Sequence, residues 1–269
     1  MKFHFISGLP RAGSTLLAAL LRQNPSFHAA MTSPMFSTLR SIIKSMADNT
    51  EFGLFFDDAK RRRILTAAMT AYYEDKLNLS AVFDTSRAWC SAMPLVANLF
   101  PTSKVICCVR NPAWILDSME CHFQKHVLRP ARVFNFEPIA TVRMRVDIAM
   151  KSPNAVLGTP LGHLRDAWYG SYTDRLLVVR YESLTRDPEN VMRALYNFLN
   201  ETYFPHDFEN FSYTEPDYDE RNGLPGFHAV RGPIRLSDRP TVLPLDIFQA
   251  HNGGFWEKPG QNPRKVSML

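Results

Sequence analysis

No stretch of this sequence approaches the ~20 consecutive apolar residues that a membrane span needs. Its first residues lack the charged-then-apolar pattern of a secretory leader: Lys2 leads at once into a short strand pattern and the loop Gly8-Leu9-Pro10. The chain is therefore expected to remain in the cytoplasm, with no membrane partner. Cysteine is scarce. The four present (Cys90, Cys107, Cys108 and Cys121) match neither zinc-ligand spacing nor a secreted disulfide framework, so free thiols and no metal are expected. The formal charge of +5 suggests an anionic ligand. Yet no run of five basic residues occurs, and the cluster 60–63 opens an amphipathic helix, where a solvated face explains it; a nucleic-acid partner is not expected. Repeats, low-complexity tracts and linkers are absent before about residue 200.

What is present is an ordinary globular composition, 45% apolar and 21% charged over 269 residues. Buried-strand patterns at 2–7, 81–83, 104–109 and 176–180 alternate with helical patterns near 14–22, 33–47, 59–77, 89–100, 137–170 and 187–200. A further helix follows Pro112, a residue suited to a first helical position. This alternation predicts an α/β fold: a P-loop-like, mostly parallel sheet flanked by helices, joined by right-handed crossovers. The last ~65 residues are rich in Pro, Gly and aromatics with little periodicity. The chain is thus expected to be one domain over 1–269, with an α/β core at 1–200 and an extended C-terminal segment at 201–269 packed on it.

Between the first strand and first helix stands Gly8-Leu9-Pro10-Arg11-Ala12-Gly13-Ser14-Thr15. In that position, free backbone N–H groups and the helix dipole point together at an anion. The spacing is that of G-x-x-x-x-G-K-[ST], except that Ser14 stands where the lysine should be. That lysine neutralises terminal phosphates in nucleoside triphosphatases, so its absence weighs against ATP or GTP chemistry. Arg11 can restore the charge, and Ser14 and Thr15 add hydroxyl donors. A glycine turn serving geometry alone is the competing explanation.

A second element is Arg110, at the end of the strand 104–109, with Ser118 eight residues later in the following helix. Arg110 would lie at the carboxyl edge of the sheet, where α/β proteins bind ligands. Each alone also fits a surface salt bridge or a helix filler. Together with the glycine loop they resemble the two nucleotide-binding motifs of the PAPS-dependent sulfotransferase superfamily (PAPS is 3′-phosphoadenosine 5′-phosphosulfate). The pattern is most similar to tyrosylprotein sulfotransferases and their bacterial relatives, and the likeness runs from residue 3 to about 200. The strand ending Arg180-Tyr181-Glu182 adds to it. The resemblance implies PAPS as co-substrate and an in-line transfer to a hydroxyl group of a tyrosyl peptide or a phenolic or alcoholic metabolite. Arg11, Ala12, Gly13, Ser14 and Thr15 would hold the 5′-phosphosulfate; Arg110, Ser118 and His122 the 3′-phosphate. Tyr181 would sit near the cofactor, and Arg231, in the C-terminal segment, would close over it.

The resemblance breaks at the catalytic groups. The family's glutamate base falls on Thr32, and its leaving-group lysine on Thr85. Arg87 is the substitute cation. Asp84, at the carboxyl end of its strand, is the first candidate base and His28 the second, against the plainer readings of a turn residue and a loop histidine. Three functions remain open at this level: the PAPS:hydroxyl sulfotransferase, a non-catalytic PAPS- or nucleotide-binding relative, and a P-loop small-molecule kinase. A homodimer is kept as a candidate assembly.

Overall fold

The computed structural model describes residues 1–128, 141–236, 238–258, 260 and 262–269. Its framework is a six-stranded sheet built from β1 (Lys2–Gly8), β2 (Phe27–Ala29), β3 (Ala81–Thr85), β4 (Val105–Val109), β5 (Leu176–Arg180) and, after the two-residue strands β6 (Ser212–Tyr213) and β7 (Val230–Arg231), β8 (Ser267–Met268). The spatial order is β2-β3-β1-β4-β5-β8, and every pairing within it is parallel. β6 and β7 form a separate antiparallel ribbon. The apolar runs behave as fully buried parallel strands should: Phe5, Ile6, Val82, Phe83, Val105, Ile106, Cys107, Cys108 and Val178 are wholly excluded from solvent. The expected mostly parallel α/β sheet is the observed one.

The helices are α1 (Ser14–Leu21), α2 (Met35–Ser45), α3 (Asp58–Tyr72), α4 (Met93–Leu99), α5 (Pro112–Lys125), α6 (Val142–Lys151), α7 (Gly158–Tyr169), α8 (Tyr181–Arg186), α9 (Pro188–Leu199), α10 (Pro216–Arg221) and α11 (Leu245–His251). α3 starts where Asp57 caps it, accepting the Lys60 N–H at 2.7 Å. It ends five residues short of the 59–77 expectation, in a 3-10 turn at Glu74–Lys76. The single helical region expected over 137–170 is two helices, because Pro153 cannot continue α6 and Asn154 turns left-handed at φ 58°. Its first residues, 137–140, lie outside the described ones. Among the described residues no helix is long and apolar enough to cross a membrane.

The chain builds β1, then β2 and β3 on one side of it, then crosses to lay β4 and β5 on the other. The direction of winding therefore reverses at the carboxyl end of β1, which opens a crevice there. The C-terminal residues Leu224, Phe227, Leu243, Ile247, Trp256 and Val266 join the same apolar cluster as the sheet. Arg239 pairs with the buried Asp117 of α5, which also accepts from Thr241 Oγ1 and the Val242 N–H, both at 2.8 Å.

Candidate active site

The glycine loop bends under a tight constraint. Gly8 (φ 139°) lies so close to the backbone of Cys108 that any Cβ would collide with its carbonyl, and the Leu9 N–H donates to that carbonyl at 2.9 Å. Arg11 and Gly13 both take positive φ, 57° and 92°. Gly13 caps α1 without any side-chain cap, so the first N–H groups of that helix have no side-chain acceptor. Gly13 also faces Tyr181, whose ring would stand 3.0 Å from an added Cβ.

Over this loop lies a cavity of ≈ 660 Å³, a size usual for small-molecule sites. Arg11, Gly13, Ser14, Thr15, Thr85, Arg87, Arg110, Tyr181 and Arg231 line it. Among the described residues that line it there is no carboxylate, while arginines come from the loop, from both neighbouring strand ends and from β7. Arg87 donates to the Val156 carbonyl at 3.4 Å, and Arg231 is exposed. Ala12 is buried and is not among the residues that line the cavity.

Arg11 joins the two motifs. Its Nε donates to Ser118 Oγ at 3.1 Å, its Nη1 to the Phe227 carbonyl, and its guanidinium lies 4.3 Å from the Phe227 ring centre. Burial and the neighbouring Arg110 lower its pKa to about 10, still cationic at neutral pH. Arg110 stacks 4.4 Å over the Tyr181 ring and donates from Nη1 to the Arg11 carbonyl at 3.4 Å. Its Nε is buried with no hydrogen-bond partner. His122 packs at 5.0 Å against Phe227 and likewise keeps a buried Nε2 without a partner. Burial, then the nearby His126 and Arg11, lower its pKa to about 4. Ser118 and His122 adjoin the cavity through Arg11 and Phe227, not at its open face.

A buried polar atom left unpaired costs ~1–3 kcal/mol, and Arg110 Nε and His122 Nε2 are two such atoms close to Arg11. The sequence profile of the sulfotransferase family matches residues 4–205, which carry all of these groups except Phe227 and Arg231. The chain belongs to the sulfotransferase family. Among solved structures, the sulfotransferase from Alicyclobacillus acidocaldarius superposes with a TM-score of 0.51 at 19% identity, covering 82% of this chain and 88% of that one. The sulfotransferase domain from the curacin biosynthetic pathway gives 0.50 at 17% identity, covering 76% and 75%. At those identities the likeness is one of fold. No curated protein matches the sequence.

Of the four residues expected to be catalytic, Arg11 and Arg87 line the cavity, and Asp84 and His28 do not. Asp84 is wholly buried and does not line the cavity. Its carboxyl accepts from Ser33 Oγ at 2.5 Å, Tyr73 Oη at 2.7 Å and Trp89 Nε1 at 2.7 Å. Burial raises its pKa, and those hydrogen bonds oppose the rise. Held by three protein donors and away from the cavity, Asp84 ties β3 to Ser33, to Tyr73 at the end of α3 and to Trp89. Its neighbour Thr85 points into the cavity instead, with a buried hydroxyl that has no partner. His28 lies in the edge strand β2, its ring 5.7 Å from Tyr73, and it too is away from the cavity.

Two histidines line the cavity. His163 of α7 presents a buried Nδ1 with no partner. His228, just after Phe227, has Nδ1 2.5 Å from Asp219 Oδ1, while its backbone N–H donates to Asp219 Oδ2 at 2.9 Å. Asp219 is only 1% exposed. The sequence offered a weak signal for this pair: an aspartate nine residues before a histidine, in a segment without periodicity.

Proposed function

We propose that this sulfotransferase moves the sulfuryl group of PAPS to a hydroxyl of a tyrosyl peptide or of a phenolic or alcoholic metabolite. The observation that carries the reading is the joining of the two motifs at one sheet edge. Arg11 of the glycine loop bonds Ser118 of α5, and beside them Arg110 Nε, a donor, and His122 Nε2 are buried without protein partners. A nucleotide with phosphate groups at both its 5′ and 3′ positions would satisfy both motifs. A work site in the cytoplasm suits the four free cysteines.

In this reading the N–H groups opening α1, with Ser14 and Thr15, hold the 5′-phosphosulfate, and Arg11 supplies the charge that the missing lysine would have given. Arg110, Ser118 and His122 take the 3′-phosphate. Tyr181 keeps Arg110 aimed by stacking beneath it, and Arg231 covers the ligand from β7. As the acceptor oxygen bonds to sulfur, the bond from sulfur to the bridging phosphate oxygen breaks. The acceptor hydroxyl loses its proton, and the bridging oxygen leaves with negative charge. Arg11, Arg87 and the α1 dipole stabilise that charge where it develops. The products are a sulfate ester and adenosine 3′,5′-bisphosphate.

Thermal denaturation in the presence of nucleotides tests the binding half of this account. Adenosine 3′,5′-bisphosphate at a hundred times its Kd should stabilise the fold by about 2.7 kcal/mol. AMP, lacking the 3′-phosphate, should do far less at the same concentration. Equal shifts from the two, or a larger shift from ATP, would contradict it.

A further inference from the structure

We propose that His228 is the general base that takes the proton of the acceptor hydroxyl, and that Asp219 is its positioning residue. The assignment rests on the PAPS-to-hydroxyl reading above and supplies the base it lacks. Asp219 is a buried carboxylate, so it accepts, and the nitrogen facing it at 2.5 Å, Nδ1, carries the proton. Nε2 is then the unprotonated nitrogen, on a ring that lines the cavity together with Ser14, Thr15 and Arg87. The same carboxylate also holds the His228 backbone N–H at 2.9 Å, which fixes the ring's base as well as its tautomer. Phe227, the preceding residue, is clamped by Arg11 through its carbonyl and its ring. Arg11, which in this reading grips the reacting end of the donor, therefore touches the residue next to His228.

The charge around His228 suits a base. The charged and titratable groups facing it are Asp219 and Tyr218 of α10, Arg11 of the glycine loop and Arg87 after β3. Burial lowers its pKa from the ordinary 6.5, Asp219 opposes that, and Arg11 and Arg87 add to it. The ring is neutral at pH 7 and ready to accept. In the reaction the acceptor O–H bond breaks as its oxygen bonds to sulfur. The proton goes to Nε2, and the imidazolium so formed is stabilised by Asp219, as in other histidine–carboxylate pairs.

The test compares wild type, His228→Gln, Asp219→Asn and His163→Gln in PAPS-dependent sulfation of an alkyl alcohol and of a nitrophenol, over a pH series, with adenosine 3′,5′-bisphosphate affinity measured alongside. The His228→Gln variant should lose turnover on the alcohol by ~100-fold or more and lose much less on the nitrophenol, which ionises unaided. Its bisphosphate affinity should stay within a few-fold of wild type. For the wild type kcat/KM should rise with pH along a limb below 6.5, because only the neutral ring accepts, and this limb should vanish in His228→Gln. Asp219→Asn should keep the limb but move it to lower pH, with a drop in kcat larger than any change in KM. Wild-type turnover by His228→Gln on the alcohol, or the stated profile appearing in His163→Gln instead, would overturn the assignment. So would bisphosphate affinity lost in parallel with turnover. A wild-type protein that transfers nothing from PAPS would overturn the reading beneath it, and the base assignment with it.

Discussion

Asp84 and Thr85 are adjacent on β3, and the alternation of a strand sends their side chains to opposite faces. Thr85 meets the cavity; Asp84 meets Ser33, Tyr73 and Trp89. A carboxylate at a strand's carboxyl end reads as catalytic in a sequence, because nothing local says which face it takes. The consequence is a stability prediction. Asp84→Ala would orphan three buried donors, at ~1–3 kcal/mol each if no water enters, so a loss of about 3 kcal/mol or more is expected in urea denaturation. The folded fraction should still bind adenosine 3′,5′-bisphosphate normally. Unchanged stability with turnover abolished would restore Asp84 as the base. His228 failed to stand out for the complementary reason. Its partner Asp219 is nine residues away, in the short helix α10, and His228 itself lies outside any helix or strand.

At the scale of elements, the readable parts were those whose signal is local. The four central strands are runs of apolar residues buried on both faces, and the glycine loop sits between a strand and a helix as its spacing required. β2 and β8 were not legible, since three and two residues are too few to show a period; partners on β3 and β5 define them. α8 was missed because Tyr181-Glu182-Ser183 follows the strand without an N-cap bond. Two glycines separate the loop's structural duty from its binding duty. Gly8→Ala would drive a Cβ into the Cys108 carbonyl, which backbone cannot yield, so the fold should be destabilised with or without ligand. Gly13→Ala meets side chains rather than backbone, the Tyr181 ring at 3.0 Å and Leu184 at 3.8 Å, at a φ of 92° that an alanine tolerates poorly. It should fold with a modestly lowered Tm and lose bisphosphate affinity by ~10-fold or more, the equivalent of 1.4 kcal/mol. Calorimetric titration of both variants checks this; a Gly13→Ala protein that binds as wild type would remove the loop from the phosphate site.

Across the whole molecule, the C-terminal segment completes the site as well as covering it. It supplies β8 at the sheet edge, a carbonyl and ring to Arg11, the Asp219–His228 pair and Arg231, and it is fastened to α5 by Arg239, Thr241 and Val242 on Asp117. In the proposed reaction the donor's groups come from the α/β core and the acceptor's base from the segment, so the two halves of the chemistry would meet only in the folded chain. The core half was legible because the glycine loop and the Arg110–Ser118 stretch are each continuous in sequence. The segment half was not, because its contacts are long-range. The most direct measurement is the mass of the products formed when the protein is incubated with PAPS and a set of phenols and alcohols. The account predicts an acceptor heavier by one sulfate and one equivalent of adenosine 3′,5′-bisphosphate per product. Tight binding of the bisphosphate with no sulfated acceptor would make the protein a binder only, and phosphate gained from ATP in its place would make it a kinase; either contradicts the account.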